Sequence, residues 1–176
     1  KGAIQSICDR AILLDSGRVA KEGAPEEIMD FYNALLAERD NSKVQQETLD
    51  DGKVQTISGT GEATVKEIVL FNENGERVET VDVGRDITLQ ITVAINTPIP
   101  RLVLGYTIKD RFGQTIYGTN THIKECPIQD VVPGEELTYR FQFPMNLGPG
   151  SYSIATALVS TDTHLVNNYE WRALAL

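Results

Sequence analysis

From residue 62 onward the chain alternates, and that alternation limits its fold more than any other feature. Ile87, Leu89, Ile91, Val93 and Ile95 interleave with Thr88, Gln90, Thr92, Ala94 and Asn96. A period of two gives a strand one buried and one wet face. Leu137, Tyr139, Phe141 and Phe143 alternate in the same way with Thr138, Arg140 and Gln142. Similar runs at 63–71, 77–83, 102–109, 114–121, 151–160 and 168–175 bring the expectation to about eight short strands. Gly and Pro separate them and no helical period intervenes, which predicts an antiparallel β-sandwich, with a barrel as the lesser alternative. Asn74-Gly75 is the strongest hairpin signal, since a type I′ turn needs positive φ at both positions. Asp110 to Gly113 joins the next hairpin.

The first forty residues follow another pattern. Ala11-Ile12-Leu13-Leu14 reads as a short strand, Asp15-Ser16-Gly17 as a tight turn, and Arg18-Val19-Ala20 as the returning strand. Pro25 opens a helix predicted over 25–39, with Glu26 and Glu27 in the first turn, where the helix dipole favours negative charge. Ile28, Phe31, Tyr32, Leu35 and Leu36 form its apolar stripe. Residues 40–61 are polar and punctuated by Asp50-Asp51-Gly52 and Ser58-Gly59-Thr60-Gly61, a linker with a weak strand at Val54–Ile57. The expected organisation is an N-terminal segment 1–39, a linker 40–61 and a sandwich 62–176.

Charge and motifs narrow the function. The chain carries 25 acidic and 16 basic residues, net −9, with no Lys/Arg cluster. Such a surface does not neutralise phosphates, which argues against nucleic acid and against a polybasic membrane patch. No apolar stretch approaches the ~20 residues that span a bilayer, and the beginning lacks a signal-peptide pattern, so membrane association is expected only through a partner. Cys8 and Cys126 share no metal-ligand spacing and are expected as reduced thiols. His122 and His164 read as ordinary loop residues. A glycosidase needs two facing carboxylates ~5–9 Å apart. Asp110, Glu125, Asp130, Asp162 and Glu170 lie mostly at predicted turns, and nothing pairs them. The sequence has no GxxxxGK[ST] phosphate loop, G-x-S-x-G elbow, HExxH or Ca²⁺ loop. No catalytic residue, metal or cofactor is expected.

Two stretches resemble known families. CDRAILLDSGRVAKEGAPEEIMDFY, residues 8–32, resembles the C-terminal end of ATP-binding-cassette nucleotide-binding domains. Gly105-Tyr106-Thr107-Ile108-Lys109-Asp110, then Gly113, Gly118-Thr119-Asn120-Thr121 and Leu147-Gly148-Pro149-Gly150-Ser151-Tyr152, recur in one order. Over 62–176 that order resembles the C-terminal domain of Wzt-type ATP-binding proteins of O-antigen export. The resemblance implies an immunoglobulin-like sandwich that binds the finished O-polysaccharide in the cytoplasm and couples it to an ABC exporter. It further implies a homodimer, a membrane permease as partner through the full-length ATPase, and a location peripheral to the inner membrane. The family's binding residues vary with the polymer, so none is carried over. If the N-terminal segment is the end of an ATPase, its helix should dock on the sandwich, pair with another copy or fray. The alternative function is a docking or dimerisation module without a glycan ligand.

The candidate site follows from sugar chemistry. Sugars offer hydroxyls and small apolar C–H faces, matched by an aromatic platform with planar polar side chains. With Leu102, Leu104, Tyr106 and Ile108 inward, Val103, Gly105, Thr107 and Lys109 face outward. The next strand is read with Ile116, Gly118 and Asn120 inward and Thr115, Tyr117, Thr119 and Thr121 outward. Across 151–159, Ser153, Ala155 and Ala157 face outward, so small residues form a groove floor flanked by Tyr117, Thr119, Thr107 and Lys109. Gln90, with Thr92 and Asn96, offers a second face. Asn167-Asn168-Tyr169-Glu170-Trp171-Arg172 offers a third cluster, in Asn168, Trp171 and Arg172. A lone Trp in a small sandwich is more often core or interface. Gly105, Gly113, Gly118 and Gly150 suit turns or close approach, and Tyr152 reads as a corner tyrosine. The last strand, Trp171–Leu176, is a candidate to pair with an open edge of a second copy.

Overall fold

The computed structural model describes residues 2–38, 43–49, 52, 54–161, 168–173 and 176. Asp162, His164, Asn167 and positions 174–175 of the last predicted strand lie outside the described residues. In chain order the elements are α1 (Gly2–Ile7), β1 (Ala11–Asp15), β2 (Arg18–Gly23), α2 (Pro25–Glu38), β3 (Lys43–Thr48), β4 (Val54–Gly59) and β5 (Ala63–Phe71). They continue as β6 (Arg77–Val78), β7 (Asp86–Ile95), β8 (Ile99–Lys109), β9 (Thr115–Asn120), β10 (Ile128–Val131), β11 (Glu136–Pro144), β12 (Ser153–Val159) and β13 (Asn168–Arg172).

The period-two region folds as an antiparallel sandwich. Its smaller sheet has the order β11-β7-β5-β6, and its larger sheet runs β10-β8-β12-β13-β4-β3, with β9 beside the second half of β8. Ile87, Leu89, Ile91, Val93 and Ile95 of β7 are at most 2 % exposed. Leu89, Ile91, Val93 and Ile95 meet Leu102, Leu104, Tyr106, Ile108 and Leu158 of the opposing sheet in one core. Full burial of each such aliphatic side chain stabilises the fold by about 1.5–3 kcal/mol.

The larger sheet is wider than the sequence suggests. Residues 43–48 and 54–59, read as linker with a weak strand, are β3 and β4, paired from Lys43↔Gly59 to Thr48↔Val54. Polar residues form these strands because much of their surface meets α2 and the sheet edge rather than the core. Gln46 shows this: it donates to Thr56 Oγ1 at 3.0 Å and accepts a hydrogen bond from Lys21. The predicted strand 77–83 shrinks to Arg77–Val78. Asn74-Gly75 is not a type I′ turn, because only Gly75 has positive φ. Asn72 accepts from Asn74 and Glu76 N–H through its side chain and from Gly75 N–H through its carbonyl. This is a three-residue loop with a left-handed glycine. Asp110 builds the same loop through Phe112, Gln114 and Gly113.

Side chains also join the two sheets. β5 has a register shift between Val65 and Glu67, a bulge of the kind that interrupts a backbone ladder. Glu170 Oε1 accepts from Val65 N–H at 3.0 Å, and Arg172 Nη2 donates to Val65 O at 3.1 Å. The two side chains pair with each other at 3.1 Å. Burial pushes the Glu170 carboxyl above the usual carboxylate range, while Arg172 and the Val65 N–H pull it back.

Of the three fates open to the N-terminal helix, docking on the sandwich is the one observed. Ile28, Met29, Asp30 and Ala34 are buried, and α2 packs on β4 and β3. At the other end Gln5 Nε2 donates to Gly113 O at 3.3 Å. A Cβ on Gly113 (φ +73°) would stand 2.8 Å from both Gln5 Nε2 and Glu26 Cγ. Within the chain, the described part of the last strand is paired along both edges. β13 is paired with β12 on one side and β4 on the other, and Ile154 exchanges backbone hydrogen bonds with Leu176.

Candidate functional site

The outer face of the larger sheet carries a groove of about 500 Å³ beside α2. Its floor follows from register. Gly105 pairs with Ala157 and Thr107 with Ala155 across β8 and β12, and Trp171 of β13 lies opposite Ala157. Alternation therefore puts these five residues on one face, with four small side chains making the depression and the indole at one edge. Gly118 and Asn120 of β9 complete the floor, and Asp30 and Asn33 reach it from α2.

From Tyr117 to Asn120 the register of β9 reverses the predicted facing, whereas Thr115 lines the groove side as expected. Asn120 pairs with Gly105, Gly118 with Thr107 and Tyr117 with Ile108, followed by a shift before Thr115↔Lys109. Gly118 and Asn120 thus share the groove face, while Tyr117 shares the inner side with Ile108. The Tyr117 ring centroid lies 6.1 Å from Tyr106 and 6.3 Å from Phe143, at the rim of the core rather than over the groove. Burial, with the Tyr117 hydroxyl adding to it, pushes the Tyr106 phenol up. Thr119 borders the groove, although its register partner is the inward Tyr106. The irregularity near Ile116 flips the facing of the residues after it, and a strict period of two carries no sign of it.

The remaining sequence candidates separate. Thr107 and Trp171 line the groove. Lys109 lines it too, but Nζ is committed to Asp30 Oδ1 at 3.0 Å, with side-chain exposures of 10 % and 4 %. Burial raises the Asp30 carboxyl, and the ammonium beside it works in the opposite direction. Arg172 faces inward to Val65 and Glu170, away from the groove. Asn168 is buried, its Nδ2 3.4 Å from Ser58 O. Gln90 lies on the other sheet, where its Oε1 accepts from Arg140 Nε at 2.9 Å in a smaller depression of about 350 Å³. Sequence reasoning missed Asp30, Asn33 and Asn120. The α2 pair follows only from how the helix docks, whereas Asn120 reaches the groove face through the register shift in β9.

Tyr152 OH donates to Gly148 O at 2.6 Å, the corner geometry expected of it. Cys8 and Cys126 are free and exposed. Among the described residues no group of His, Cys, Asp and Glu is placed to hold a metal. None of their helices is long and apolar enough to cross a membrane.

Residues 54–176 match the family described as the Wzt C-terminal domain. The chain belongs to that family. A crystal structure of the C-terminal domain of Wzt superposes with a TM-score of 0.61 at 18 % identity, covering 69 % of this chain and 74 % of that one. At that identity the likeness speaks for the fold. A protein described as a β-galactosidase from Bacteroides fragilis (TM-score 0.45, 14 % identity, 68 % of this chain and 18 % of that one) is more distant. So is chicken MD-1 complexed with lipid IVa (0.37, 12 %, 74 % and 92 %). Neither bears on function. A search of the curated proteins finds no match. Membership in the Wzt C-terminal domain family supports a role in the O-antigen ABC exporter.

Proposed function

We propose that this Wzt C-terminal domain recognises the O-antigen polysaccharide on the cytoplasmic side of the membrane and gives the exporter its substrate specificity without catalysis. The groove on the larger sheet carries the reading. Gly105, Ala155 and Ala157 leave room for a sugar ring, Trp171 borders it with an aromatic side chain, and Thr107 and Asn120 bring hydroxyl and amide groups. Such a shallow site is weak alone, near millimolar or about 4 kcal/mol. A repeating polymer held by a homodimer would gain affinity through effective concentration.

The test is calorimetric titration of the full chain with O-polysaccharide purified from the source strain. Binding near millimolar repeat unit that weakens about tenfold in Trp171→Ala, a loss of about 1.4 kcal/mol, is the expected result. Absence of binding at that concentration, with a polysaccharide-binding member of the family as positive control, would leave a docking module.

A further inference from the structure

The groove has one wall that does not belong to the sandwich. Asp30 and Asn33 stand one turn apart on α2, the i, i+3 spacing that puts two side chains on one helix face, and both line the groove. The opposite lining is Gly118 and Asn120 of β9, with Lys109 between. Asp30 and Lys109 are the two charged residues among those that line it, and they are bound to each other at 3.0 Å.

We infer that α2 is a working wall of the polysaccharide site, held there by the Asp30–Lys109 pair, and that the groove so completed takes an uncharged stretch of the polymer. This rests on the recognition reading above and narrows it. A buried Lys109 without a partner would place an ammonium under the groove and draw acidic sugars. Paired, it is spent, and the lining's formal charges cancel. An incoming uronate or phosphate would give up its hydration beside Asp30 with no free cation among the described lining residues to receive it, in a chain whose net charge is −9. Hydroxyl groups carry no such penalty and meet the amides of Asn33 and Asn120 and the Thr107 hydroxyl. Because α2 belongs to the segment that resembles an ATPase end, the site is assembled by the union of that segment with the sandwich.

The experiment uses the full chain and O-polysaccharide purified from the source strain, titrated into parent, Asn33→Ala and Asp30→Ala at about 50 and about 500 mM salt, a range over which exposed charge interactions are strongly screened. The expected parent affinity changes less than twofold with salt. Both variants should bind at least about fivefold more weakly, the scale of one lost hydrogen bond. In Asp30→Ala, amide exchange should rise across 25–38 while β7 and β8 stay protected. Should Asp30→Ala fail to fold, Asn33→Ala decides, since it leaves the ion pair intact. Parent binding that both variants match within twofold overturns the wall, and a steep salt dependence in the parent overturns the uncharged ligand. A parent that binds nothing overturns the recognition reading and this inference together.

Discussion

Replacing Glu170 by Ala removes the group that joins the two sheets at the β5 bulge. Glu170 accepts the Val65 N–H at 3.0 Å and pairs with Arg172 at 3.1 Å, with only 6 % of its side chain exposed. A hydrogen bond to a charged group contributes about 1.5–3 kcal/mol, and breaking a buried ion pair by deleting one partner costs about 3–5 kcal/mol. These describe overlapping losses, so they do not add. Arg172 keeps 21 % exposure and its bond to Val65 O, which moves the expected cost to the lower end, about 3 kcal/mol. With a urea slope of about 2 kcal/mol per molar, the unfolding midpoint should fall by about 1.5 M. The control is Glu67→Ala, which removes an exposed partner of Arg77 and should cost less than about 1 kcal/mol. A Glu170→Ala midpoint within about 0.3 M of the parent, at unchanged slope, would refute the claim that this pair closes the bulge.

Other outcomes follow from the same geometry. Burial holds the Glu170 carboxyl above its ordinary range, so the folded state takes up its proton more readily than the unfolded state. Its contribution to stability is then greatest below the usual carboxylate pKa and declines as pH rises through the shifted one. The stability of the parent relative to Glu170→Gln, measured by urea unfolding, should accordingly increase from pH 7 to pH 5. Tyr117→Ala should lower stability by about 1–2 kcal/mol through lost ring contacts and leave polysaccharide affinity within twofold. Ala157→Leu, which fills the groove floor, should do the reverse: affinity falls at least about tenfold while stability changes by about 1 kcal/mol or less. Gly59→Ala should destabilise by at least about 2 kcal/mol. At Gly59 φ is +154°, and a Cβ would stand 2.3 Å from Tyr169 O.

The sandwich was legible wherever one face of a strand is apolar. β5 is found at its predicted limits, and β7 and β11 lie within a residue of theirs. β3, β4 and β10 are not legible as secure strands, because polar residues such as Gln45, Gln46 and Gln129 give no alternation to detect. The groove floor on β8 and β12 could be read from parity alone, since Gly105, Thr107, Ala155 and Ala157 all sit on regular ladders. Tyr117 faces the core side because of an irregularity that shifts register without a signature in residue type. Arg172 and Asn168 look like surface polar residues in sequence. Their inward placement is set by the β5 bulge and by Ser58, partners more than a hundred positions away.

The most direct measurement is amide chemical-shift mapping of the full chain during titration with the purified O-polysaccharide. The account predicts perturbations concentrated at Gly105, Thr107, Asn120, Ala155 and Ala157 and at the Trp171 indole, with Asn33 of α2 moving with them. Perturbations confined to the face that holds Gln90, Arg140 and Gln142, or none at millimolar repeat unit, would contradict it.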